Sequence, residues 1–363
     1  MADFDATALA FKMACPSNTL LTDKKGLPGA YVQKAPQLLS ALLTNGDSSI
    51  HPAFLVNSVE ISKLLIGKFQ GKSHGNCIYS LPGEDPTTNI TLDTYEAYCR
   101  SKGDGHHCIT AAEWGFLALL AKKNGTIPLG NNNYGRDTSE TEYAAIPSCS
   151  RDSEGRIQRT ATGTGPLTWS DTHDINGIFD LNGNVWEWVS GARLVYGELQ
   201  VIPYNNAARP ECNSSATSTE WKALNAQATS YADLFVTPNG SGTTAGTVKL
   251  DCISQNHWQW QGSAITDQKN ASRGSYFAST TYSGLSDFCK QYIQALAFGP
   301  DDGSTTTDYS GDYFWANNGE AERCALRGGN WNNGADAGVF SLNFGSPRSY
   351  SGGNVGGRPA FYE

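Results

Sequence analysis

The sequence predicts an α+β protein with two main helices, short strands and long loops. Three observations point there. Two segments carry helix-start signals: Asp93 with Glu96 three residues on, and Thr110-Ala-Ala-Glu113, where hydroxyl and carboxylate satisfy each other's free backbone amides. Short runs alternate at the strand period of two, most clearly Val185-Trp-Glu-Trp-Val189. Between such runs lie Gly-, Asn- and Thr-rich stretches too punctuated for regular structure, such as residues 126–175.

Taken in order, residues 1–50 show weak periodicity and breaks at Pro28, Pro36 and Gly46. They read as an N-terminal extension, partly helical near Ala35 to Thr44. The main domain is expected over 51–363. It opens with two strands, Pro52-Ala-Phe-Leu-Val-Asn and Val59 to Phe69. A helix N-capped by Asp93 follows, with Tyr95, Tyr98 and Cys99 on one face. The next helix starts at Thr110, places Trp114, Leu117, Ala118 and Ala121 at helical spacing, and stops at Asn124-Gly125. Its Trp114 reads as core. His106-His107 beside Cys108 reads as a solvent-exposed turn before the cap. In the strand near 185–190, Val185, Glu187 and Val189 share one face and Trp186 and Trp188 the other. A carboxylate between inward valines needs a partner, because an unpaired buried charge is costly. Residues 192–323 are polar, with helices expected near Thr219 to Leu234 and Leu285 to Leu296. They read as an insertion longer than an ordinary connection, with structure of its own.

The 363-residue chain has 39% hydrophobic and 17% charged residues, a globular composition poor in surface charge. A net charge of −9 argues against a nucleic-acid footprint. No apolar run reaches the ~18 residues of a membrane span. The start lacks the basic region of a signal peptide, so synthesis and folding in a cytoplasm are expected. The 9 Cys are odd in number, form no CxxC pair and read as buried small hydrophobes.

The C-terminal segment 327–363 mixes two kinds of position. Trp331, Val339, Phe340, Leu342, Val355 and Phe361 need a core. Between them stand Asn330, Asn332, Asn333, Asp336, Ser341, Asn343, Phe344, Gly345, Ser346, Tyr350, Gly352 and Gly353, mostly turn-forming residues. Loops held by pinned strands are where binding usually resides.

Two resemblances rest on these residues. Gly177-Ile-Phe-Asp-Leu-Asn-Gly-Asn-Val-Trp-Glu-Trp is similar to the signature of the formylglycine-generating, sulfatase-modifying family. So are Thr110-Ala-Ala-Glu-Trp, Arg327-Gly-Gly-Asn-Trp and Gly356-Gly-Arg. The resemblance implies a C-type-lectin-like fold of small twisted antiparallel sheets, two helices and long loops. The tail Arg327-Gly-Gly-Asn-Trp-Asn-Asn-Gly, Ala337-Gly-Val-Phe-Ser-Leu-Asn, Pro347-Arg-Ser and Asn354-Val-Gly-Gly-Arg-Pro resembles the variable region of proteins diversified by diversity-generating retroelements. In that family template adenines are miscopied, so diversified Asn codons do not yield Lys, Gln, Glu, Met or Trp. From Asn332 onward the tail contains none of these except Glu363.

The resemblance implies that the twelve turn and contact positions from Asn330 to Gly353 form a variable ligand face. Tyr350, Phe344 and Arg348 would supply contact area, while Arg348 and Arg358 read as fixed supports. It also implies a structural Ca²⁺ held by Asp180 and Glu187 with the carbonyls of Gly183 and Val185; no other cofactor is expected. The family's copper oxidase chemistry needs two neighbouring cysteines near the C-terminus, and none follows Cys324. A calcium-dependent sugar site needs more acidic oxygens than Trp331-Asn-Asn and Asp336 offer.

The expectation is therefore a non-enzymatic ligand- or receptor-binding protein with a hypervariable C-terminal face. Its setting would be a phage tail, attached through the N-terminal extension, or alternatively a bacterial cell surface. Its partner would be a protein or glycan receptor on a target cell, with no nucleic acid and no membrane insertion.

Overall fold

A computed structural model describes residues 2–363. In chain order the elements that position the site are α1 (Ala2–Ala14), β1 (Asn18–Thr22), β2 (Pro28–Lys34), β3 (Leu64–Gly67), α2 (Leu92–Arg100), β4 (His106–Cys108) and α3 (Ala111–Asn124). There follow β5 (Trp186–Val195), β6 (Glu198–Val201), β7 (Lys249–Cys252), β8 (Trp258–Gln261), β9 (Arg273–Tyr276), β10 (Thr281–Ser283) and α4 (Asp287–Ala295). The chain closes with β11 (Tyr313–Ala316), β12 (Arg323–Gly328), β13 (Gly338–Ser346), β14 (Val355–Gly357) and β15 (Pro359–Tyr362).

Two sheets organise these elements. The first runs β1-β2-β3-β15-β4, so the last strand lies between strands from the first third of the chain. The second is larger than the small sheets expected. It has twelve strands, with the path β9-β11-β13-β12-β5-β6-β7-β8-β10. It is also not wholly antiparallel: β11 runs parallel to β13, β8 to β10, and β14 to β5. The expected boundary at residue 50 does not separate a body from an extension. β2 pairs along β3 from Tyr31↔Gly67 to Lys34↔Leu64, because Tyr31 and Val32 are apolar and lie in the core. The 192–323 stretch likewise adds strands to the large sheet, and β5 runs straight into it.

Helix α3 follows its sequence signals. Thr110 Oγ1 accepts from Glu113 N at 3.1 Å, Glu113 Oε2 accepts from Thr110 N at 2.9 Å, and Gly125 closes the helix in left-handed conformation at φ 68°. Trp114 is fully buried and donates to Val339 O at 2.8 Å, which ties the helix to β13. Helix α2 begins two residues earlier than expected. Thr91 is its cap, accepting from Thr94 N, and Asp93 sits in the first turn, where a carboxylate favours the positive helix end.

Other expectations are corrected. His106-His107-Cys108 is a buried strand, not an exposed turn. His107 fits there because its ring nitrogens meet Gly105 O and Glu113 Oε1, each at 2.8 Å. Val59 to Phe69 is not one strand. Val59–Glu60 pairs with Leu55–Val56, and only Leu64–Gly67 joins the first sheet. Of the helix expected over 219–234, only Tyr231–Leu234 is helical. Lys222–Leu224 pairs with β6 instead, overriding local propensity and burying Trp221, Ala223 and Leu224. Near 35–44 a single turn forms, Leu39–Leu42.

Helices α3 and α4 meet at Gly115, where a Cβ would lie 2.4 Å from Ala295 O. Gly115→Ala should therefore destabilise the protein. The helix-propensity gain of about 1 kcal/mol is outweighed by overpacking of about 1–3 kcal/mol against rigid backbone. A midpoint in urea equal to or above the wild type's would contradict this.

Candidate ligand-binding face

Strand alternation divides β13 between core and surface. Leu342 and Phe344 point inward, and the Phe344 ring centre lies 5.3 Å from that of Phe298. Asn343 points outward opposite Trp315 of β11. On β9, Tyr276 stands opposite Tyr313. These rings form a continuous row on the outer side of the sheet. Centre-to-centre distances are 5.6 Å from Tyr276 to Tyr313, 4.7 Å to Trp315 and 5.5 Å on to Trp186. Trp186 is nearly covered, Tyr313 and Trp315 are half-buried, and Tyr276 is 57% exposed.

The C-terminal loops border this row. Asp336 lies near its Tyr313 end: burial first, and then the Asp336 carboxylate, push the Tyr313 phenol above its ordinary value. Asn343 borders Trp315. The loop after β13 crosses the Trp186 end, where Arg348 O accepts from Leu92 N, Gly352 O from Asn89 N and Asn354 O from Trp186 N. Arg159 joins the two C-terminal loops: its Nη1 donates to Gly353 O at 3.0 Å, and its guanidinium lies 6.0 Å from the Trp331 ring centre.

The twelve expected positions separate into two groups. Asn332 and Tyr350 are exposed, and Asp336, Asn343, Gly345, Ser346, Gly352 and Gly353 are half-buried. Three others are inaccessible, against expectation. Phe344 is core, because its side chain points inward with that of Leu342. Ser341 is buried with its hydroxyl donating to Asp336 O at 2.6 Å. Asn330 is buried and its Oδ1 accepts from Asn332 N. Asn333, half-buried, spends its Oδ1 on Asn330 N at 2.9 Å. Asn330 and Asn333 thus shape the turn that displays Asn332. The reading of the sequence missed Tyr276, Tyr313 and Trp315. The alternation in Tyr313-Phe-Trp-Ala, aromatic on both faces, was the available signal.

Arg348 is a support, as its position implies. It holds Glu322 through two bonds of 2.7 and 2.8 Å and reaches Asp93 at 2.7 Å. Burial raises the Glu322 carboxyl, but Arg348 and Arg193 more than offset it and hold the group below its ordinary value. A lowered carboxyl contributes stability above its ordinary value and loses it as pH falls through the lowered one. The Arg348 and Glu322 side chains are 12% and 15% exposed, so solvent screening is modest. Breaking the clamp should cost roughly 1.5–3 kcal/mol. Acidification below the ordinary glutamate range, or Arg348→Ala at neutral pH, should speed exchange of the Leu92 amide. Equal exchange in wild type and variant at neutral pH would refute the clamp.

The expected cation ligands converge, but not on a set that suits Ca²⁺. Backbone oxygens of Asp180, Gly183 and Val185 and Glu187 Oε1 surround Gln70 Nε2 at 3.2, 3.4, 3.1 and 3.0 Å. The Asp180 carboxylate turns away to accept from Gly163 N, and Glu187 is held by Arg358. Cys324 is fully buried, and burial pushes its thiol well above the ordinary value, away from the thiolate a soft metal needs.

The architecture is α+β, with strands from both ends of the chain paired in one sheet. No family model matches the chain, and no curated protein matches it. Solved structures similar to it include PvdO from Pseudomonas aeruginosa, with a TM-score of 0.38 and 13% identity over 95% of this chain and 98% of that one. Treponema denticola variable protein 1 gives a TM-score of 0.35 and 14% identity over 96% of this chain and 100% of that one. The U1 variant of the Major Tropism Determinant gives 0.30 and 11% over 92% of this chain and 63% of that one.

Proposed function

We propose that this protein is a non-enzymatic ligand- or receptor-binding protein whose C-terminal face is diversified through a retroelement. The observation that carries the reading is the four-ring row bordered by Asp336, Asn343 and the 346–353 loop, all supported from beneath by buried side chains. Fixed aromatic rings supply contact area, and Trp and Tyr are the residues that dominate binding energy at interfaces. Asn, Ser and Gly around them supply adaptable polar contacts, as in antibody loops. The accessible positions lie outside the core packing, so their substitution changes stability little.

The setting we favour is a phage tail, with a receptor on a target cell as partner. Attachment would use α1, which presents Leu9 and Met13, one turn apart, at 61% and 74% exposure. Among the described residues no helix is long and apolar enough to cross a membrane.

The test is a library randomised at Asn332, Asp336, Asn343, Ser346 and Tyr350. Most members should melt within a few degrees of the wild type and differ in which bacterial surfaces retain them. Loss of folding in most members, or unchanged binding throughout, would overturn the reading. A near-copy of the tail's coding sequence beside a reverse transcriptase gene, differing mainly at adenines, is the matching genetic expectation.

A further inference from the structure

The geometry points to Gln70 as a built-in substitute for a structural cation: its side-chain amide fills the oxygen cradle at the place where the sequence leads to the expectation of Ca²⁺, so the fold needs no metal there. Residues 180–187 form the cradle. Asp180, Gly183 and Asn184 all have positive φ, at 63°, 75° and 60°, and this turning of the backbone aims carbonyls at one point. Three carbonyl oxygens and one carboxylate oxygen converge there within 3.0–3.4 Å of a single atom, Gln70 Nε2. Gln70 is fully buried, and its Oε1 accepts from Asn184 Nδ2 at 2.9 Å, which fixes which end of the amide faces the ring.

Charge and distance both favour the amide over an ion. Ca²⁺ takes six to eight oxygens at about 2.3–2.6 Å with several carboxylates among them. Here one carboxylate takes part, and Arg358 already neutralises it through bonds of 3.1 and 2.8 Å. A dication would add its charge beside that guanidinium with nothing further to balance it. An amide N–H₂ brings only partial positive charge, and its two hydrogens are shared among four acceptors. Buried carbonyls left without any donor are costly, which is why the position needs a donor of some kind.

Melting curves of the full chain test this. Wild type stripped with a chelator should melt at the same temperature before and after millimolar CaCl₂. Gln70→Met, which keeps the length and removes the donor, should melt about 5 °C or more lower. Gln70→Glu places a second carboxylate in the cradle. It should melt low in chelator and rise by several degrees on adding CaCl₂, an effect the methionine variant should lack. A calcium-induced rise in the wild type would overturn the proposal, as would an unchanged midpoint in Gln70→Met. A glutamate variant that folds but ignores CaCl₂ would overturn the cradle's suitability for a cation. Should either variant fail to fold, the wild-type comparison decides alone, with calorimetric titration of CaCl₂ expected to show no binding.

Discussion

Arg358→Met should lower folding stability by about 3–5 kcal/mol, the usual loss when one partner of a buried ion pair is removed. Arg358 is fully buried and each of its three side-chain nitrogens donates. It grips both Glu187 oxygens, at 3.1 and 2.8 Å, and donates to Gly67 O at 2.9 Å and Phe179 O at 2.8 Å. Those four acceptors belong to β3, the 126–185 stretch and β5, so a single guanidinium joins both sheets. Methionine fills much of the volume but leaves the Glu187 carboxylate with Gln70 alone. Burial already pushes that carboxyl above its ordinary value. In the variant it should take up a proton, which limits the loss. The double variant Arg358→Met, Glu187→Gln should therefore lose less than the sum of the two single changes. Urea unfolding measures all three, and additive losses would show that the two side chains act independently.

Trp315→Ala should weaken binding about 30-fold or more, the scale of an aromatic hot spot of ~2 kcal/mol or above. Trp315 is the ring shared by its neighbours, at 4.7 Å from Tyr313 and 5.5 Å from Trp186, and it lies opposite Asn343. Its removal interrupts the row beside Asn343, one of the positions proposed to vary. Tyr276→Ala, at the exposed end, should have a smaller effect. Retention on bacteria that bind the wild-type chain gives the readout, with melting curves as the control for folding. Equal retention of Trp315→Ala would remove the row from the binding face.

Much of the frame was legible because its signals are local. The capping box at Thr110, the Gly125 stop and the alternation around Glu187 each act within a few residues. Phe344 was misplaced for a related reason. Composition marks the tail as loop-like, but β13 continues through it to Ser346, and a strand's two-residue period then decides which side chains reach solvent. The aromatic row could not be read from any one segment. β9 and β11 come from the 192–323 stretch, and only sheet pairing sets them beside β13. The cradle was legible in its oxygens but not in its occupant. Gln70 lies 117 residues before Glu187, and no local pattern marks a lone glutamine as its partner.

The placement of β15 gives the protein a check on its own completeness. This strand follows the segment proposed to vary and lies between β3 and β4, pairing along both. A chain that stops anywhere from Asn332 to Gly357 lacks the strand between β3 and β4 and the guanidinium that joins the first sheet to the second. Such a product would be discarded as unfolded rather than displayed. Under the proposed diversification, errors that truncate would be filtered out, while errors that merely recolour the surface would pass through.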